Sequence, residues 1–64
     1  MQPPSLSAED LLVITEVMRL RSYDRVGQLL GWGTDIVRMR FARLIGMMPA
    51  AQATAMRRAA DALG

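Results

Sequence analysis

The sequence predicts an all-α fold, a compact four-helix domain, and three observations carry that expectation. Apolar residues recur at helical spacing. Serine, glycine and proline punctuate the joints between the apolar runs, and no stretch alternates as a half-buried strand does. The expected helices cover about 8–20, 23–30, 34–47 and 50–63, with residues 1–6 as a flexible arm and residues 7–64 as a single domain.

Pro3 and Pro4 favour extended backbone in the arm. Ser7 then opens an S-x-x-D pattern with Asp10, a capping box ahead of an apolar run. At roughly 100° per residue, Val13, Ile14, Val17, Met18 and Leu20 share one broad face of the first helix, with Thr15, Glu16 and Arg19 opposite. Leu12 falls among those polar residues and Leu11 at the stripe's edge.

Ser22 is the expected cap of a short second helix with Val26, Leu29 and Leu30 inward, and Gly31 is its natural stop. Trp32 is apolar within a turn and is expected to plug the core between helices. Thr34 is the expected cap of the third helix, because Gly33 has no side chain to offer. Val37, Phe41, Leu44, Ile45 and Met48 form its buried stripe, and Pro49 ends it. The fourth segment, AAQATAMRRAADAL, is made of strong helix formers. Ala51, Ala55, Ala59 and Ala62 are its expected packing face against helix one or two, and Arg57, Arg58 and Asp61 its solvated side.

Composition narrows the function classes. At 64 residues the chain has room for one domain with a small core. A hydrophobic fraction of 52% separates it from disordered segments. It contains neither cysteine nor histidine, which removes disulfides, thiolate chemistry, the commonest general base and the usual transition-metal ligand. The expectation is no enzyme, no catalytic or metal-binding residues and no cofactor. No apolar run approaches the roughly 18 residues of a membrane span, and MQPPSLSAED lacks the regions of a signal peptide. A cytoplasmic protein is expected.

The net charge is only +2, and all eight basic residues are arginine. Their distribution is uneven: residues 1–32 hold three arginines against four acids, and residues 33–64 five against two. A basic C-terminal half is compatible with phosphate contacts.

From Leu6 to Leu44 the spacing becomes specific. LSAED opens the first helix. Ser22, Val26, Gly27, Leu30 and Gly31 follow at the spacing S-x-x-x-V-G-x-x-L-G, and then Ile36, Val37, Arg38 and Phe41. This stretch, 39 of the 64 residues, resembles without a gap the helix-turn-helix of LuxR-type regulators and of sigma factor region 4. In size and fold the chain is also similar, more loosely, to QseM-type antiactivators of conjugative elements. The resemblance implies that Gly27 marks the close crossing of the motif's two helices. It implies a third helix that enters the DNA major groove, with Thr34, Asp35, Arg38, Met39, Arg40 and Arg43 as the candidate DNA-contacting residues.

The outward face of that helix departs from a base reader. Base edges are read by polar groups such as Arg, Asn, Gln or Ser, and among Asp35, Met39, Ala42, Arg43 and Gly46 only Arg43 qualifies clearly. Ile36 stands where the family carries threonine, and Asp35 repels phosphate where the helix dipole would attract it. A docking surface fits better. Ala42 and Gly46 form a small-x-x-x-small pair, while Ile36, Met39 and Met47, with Leu12 of the first helix, add adaptable apolar contact. Arg38, Arg40 and Arg43 supply a polar rim.

The expectation is therefore a small transcriptional regulator that binds a partner, a transcription activator or other helix-turn-helix protein, as an antiactivator does. Its candidate partner-binding residues are Leu12, Ile36, Met39, Ala42, Arg43, Gly46 and Met47. The alternative is a regulator that binds duplex DNA directly, as a homodimer, with helix three in the major groove.

Overall fold

Ser7 and Asp10 start the first helix by satisfying each other's backbone. The Asp10 N–H donates to Ser7 Oγ at 3.1 Å, and the Ser7 N–H donates to Asp10 Oδ2 at 3.2 Å. The structure is a computed structural model and describes residues 6–63. The expected arm lies outside the described residues except for Leu6, which is half-buried and packs on the core. Four helices follow: α1 (Ala8–Leu20), α2 (Tyr23–Leu30), α3 (Thr34–Gly46) and α4 (Ala50–Leu63), with no strand among the described residues. All four expected helices form, with α3 one residue shorter because Met47 caps it and its N–H bonds to the Leu44 carbonyl at 3.0 Å.

Each joint has a physical cause. Arg21 ends α1 in the left-handed region, φ 51°, with its N–H bonded to the Val17 carbonyl at 2.8 Å. Ser22 then caps α2, its Oγ accepting from the Arg25 N–H at 3.2 Å. Gly31 stops α2 at φ 73°, a conformation that L side chains resist. The chain folds back so tightly that the Trp32 N–H reaches the Gly27 carbonyl at 2.8 Å. A Cβ on residue 27 would stand 2.5 Å from the Trp32 carbonyl oxygen, so only glycine fits.

Three expectations are corrected. Gly33, not Thr34, caps α3: its carbonyl accepts from the Ile36 and Val37 N–H groups at 3.1 and 3.2 Å. Thr34 is the first helical residue, and its hydroxyl donates to Asp24 Oδ1 at 3.1 Å, tying α3 to α2. Leu29 does not face inward; it is 57% exposed, and Tyr23 takes the buried place at the other end of α2. On α4 the inward residues are Ala53, Met56, Ala60 and Leu63, spaced as one helical stripe. Ala51, Ala55 and Ala62 are exposed, and α4 packs chiefly against α3.

The core centres on Phe41, fully buried among Val13, Val17, Val26 and Val37. The Tyr23 ring lies 6.1 Å from that of Phe41 at a tilt of 59°, an arrangement favoured by ring quadrupoles. Leu44, Ile45 and Ala53 close the core, with Trp32 and Met48 half-buried against it. No charged or polar side chain is buried among the described residues, so apolar burial is the principal driving force for folding.

Candidate functional site: the outward face of α3

The buried stripe Val37, Phe41, Leu44 and Ile45 fixes which way the rest of α3 points. Asp35, Ile36, Arg38, Met39, Ala42, Arg43, Gly46 and Met47 are all exposed. Three of them are large and apolar: Met39 is 66% exposed, Met47 51% and Ile36 45%. A depression of about 230 Å³ is lined by Ile36, Met39, Arg40 and Arg43. A second, of about 140 Å³, shares Arg40 and Arg43 and adds Asp10, Leu44 and Met47. At the α3–α4 corner Met47 also borders an apolar notch of about 310 Å³ with Leu6, Met48, Pro49 and Gln52.

Leu12 is exposed on α1, as expected. It stands three residues beyond Glu9, on the same side of that helix. Glu9 in turn accepts from Arg40 Nη1 at 2.7 Å. The ion pair thus joins the Leu12 side of α1 to the face of α3.

The three arginines of α3 differ in their freedom. The Arg40 guanidinium, paired with Glu9, also lies over the Trp32 ring, 4.9 Å from its centroid. The Arg38 guanidinium lies over the Tyr23 ring at 5.4 Å, while the residue stays exposed. Arg43 makes no ion pair within 4.0 Å among the described residues. Asp10 borders the same depression, but its carboxylate accepts from the Ser7 N–H. Thr34 is turned towards Asp24 of α2.

Two small residues complete the face. Ala42 is exposed, and a Cβ on Gly46 would meet nothing within 4 Å. Packing inside the chain does not require glycine at position 46. The Tyr23 hydroxyl is held above its ordinary pKa by burial, with Asp61 adding to the shift and Arg38 opposing it.

The residues missed from sequence are the partners that hold the arginines in place: Glu9, Tyr23 and Trp32. Glu9 and Arg40 are 31 positions apart, and no local pattern links them. Among the described residues no group of three or more His, Cys, Asp or Glu comes together as a metal site, and no helix is long and apolar enough to cross a membrane. Comparison with family models, with curated proteins and with solved structures finds no match to this chain.

Proposed function

We propose that the chain is a small transcriptional regulator whose α1, α2 and α3 form a helix-turn-helix, and that it acts by docking the outward face of α3 on a partner regulator protein. The observation that carries this reading is the composition of that face. Three of its exposed large side chains, Met39, Met47 and Ile36, are apolar. Apolar side chains neither accept from nor donate to base edges. One of the three arginines that would otherwise meet phosphates, Arg40, already holds Glu9 and Trp32. Tight joining of α2 to α3 through Gly27, Gly31 and Trp32 supports the helix-turn-helix part of the reading.

Repeated selection from a random duplex DNA pool tests it. Weak, salt-sensitive binding with little or no enriched sequence is expected, since Arg43 is the one base-reading side chain on an otherwise apolar face and phosphate attraction by arginine is indifferent to sequence. Recovery of a tight, sequence-selective site weakened by Arg38→Ala or Arg43→Ala would make DNA reading the main mechanism and overturn docking. In a transcriptional reporter, Met39→Glu or Ala42→Glu abolishes regulation while circular dichroism stays unchanged.

A further inference from the structure

Methionine supplies the only sulfur in the chain, six residues of it with no cysteine. Met1 lies outside the described residues, and the other five divide by position. Met39 and Met47 are exposed, one on the outward face of α3 and the other at its cap. Met18, Met48 and Met56 are half-buried against the core, and Met48 also borders the α3–α4 notch. None of the buried core residues among the described ones is a methionine.

Those positions sort the sulfurs by chemistry. A thioether is oxidised when its lone pair reaches the oxidant, so exposure sets the order of attack. Arg43 stands four residues from Met39 and four from Met47, a neighbour of both on the helix surface. It lines the depression that holds Met39 and the one that holds Met47. Arg40 and Arg43 offer guanidinium donors to the first, whose lining has no carboxylate. Asp10 borders the second, and Asp35 stands one turn before Met39. A sulfoxide oxygen is a polar acceptor, whereas a thioether accepts only weakly. Oxygen added at these two sulfurs leaves Ile36 as the one large apolar side chain exposed on this face of α3, and the core is untouched.

We propose that Met39 and Met47 form a paired site of reversible oxidation by hydrogen peroxide, and that this modification switches the docking face off. Each sulfur gives an electron pair to one peroxide oxygen. The S–O bond forms, the O–O bond breaks, and the second oxygen leaves with both protons as water. Sulfur is oxidised by two electrons and the peroxide reduced by two. A sulfoxide reductase supplied with a dithiol reverses the step, the oxygen leaving as water and the dithiol becoming a disulfide. The switch rests on the docking reading above; the selectivity of the oxidation does not.

Peroxide titrated onto the full chain, followed by peptide mass spectrometry, reads each methionine separately. Met39 and Met47 should oxidise about tenfold faster than Met18 and Met56, with Met48 between, and guanidinium chloride should erase the differences. Circular dichroism should stay unchanged, retention on a phenyl column should fall, and sulfoxide reductases should restore it. Even oxidation of all five in the folded chain, or loss of helix once Met39 and Met47 are oxidised, overturns the site. The transcriptional reporter, in cells lacking sulfoxide reductases, then tests the switch. Under peroxide the parent should lose regulation, and the apolar but inert double variant Met39→Leu, Met47→Leu should keep it. Equal loss in the two overturns the switch. Full regulation by the parent under peroxide overturns it too, and Met39→Glu then separates the readings. Loss of regulation in that variant leaves docking standing, and full regulation removes docking as well.

Discussion

The guanidinium of Arg40 lies over the indole of Trp32 and at the same time pairs with Glu9. One side chain of α3 therefore holds both the start of α1 and the turn that precedes α3. A half-exposed ion pair contributes modestly, and a cation over an aromatic face adds a comparable amount. Arg40→Ala is expected to lower the unfolding free energy by about 1 kcal/mol in urea titrations. Arg43→Ala, three residues on, should change it by less than about 0.5 kcal/mol. Equal losses at the two positions would contradict the division of labour between them.

The two glycines at positions 27 and 46 should respond in opposite ways. Gly27→Ala drives a methyl group into the Trp32 carbonyl and should cost about 2 kcal/mol or more, because the obstacle is backbone. Gly46→Ala meets open space at the end of a helix and should be neutral or stabilising by a few tenths of a kcal/mol, since alanine is the better helix former. Thermal unfolding of the pair would refute this if Gly46→Ala proved as damaging as Gly27→Ala.

Arg21 is the only residue other than glycine with a positive φ among the described residues. Glycine adopts that conformation without the clash between Cβ and carbonyl oxygen, though it also loosens the unfolded chain. Arg21→Gly should raise stability by about 0.5 kcal/mol. A lower melting temperature for this variant would show that the arginine side chain contributes something beyond the turn.

Burial of Tyr23 makes stability depend on alkaline pH. Its hydroxyl is held above its ordinary value of 10.0 in the folded chain, so between that value and the raised one the unfolded state loses a proton that the folded state keeps. The contribution is complete below pH 10 and is lost as pH rises through the folded value. Tyr23→Phe should flatten the decline of melting temperature above pH 10 relative to the parent. A decline of unchanged steepness in that variant would place its origin elsewhere.

Helix positions were legible because their signals are local. Ser7 with Asp10, Ser22, Gly31 and Pro49 each mark a boundary within a few residues of where it forms. The errors arose where the deciding contact is distant or the pattern is degenerate. Thr34 reads as a cap until Asp24 claims its hydroxyl from ten positions away. Leu29 and Leu30 are adjacent on a helix of barely two turns, and periodicity over so short a span cannot choose between them. In α4 alanines populate several faces at once, and the larger Met56 and Leu63 select the buried one. The exposed set on α3 was readable because its buried stripe is unambiguous, with Val37, Phe41, Leu44 and Ile45 all on one side.

Among α1, α2 and α3 each helix touches the other two, whereas α4 rests chiefly on α3. The first three form a closed triangle of mutual support, and the fourth is a flap hinged at Pro49. Such a flap can lift without undoing the triangle, so amide hydrogens of α4 should exchange with solvent before those around Phe41. The chain's resistance to opening is then graded along its length, firmest where Val13, Val26 and Phe41 meet and weakest toward Leu63.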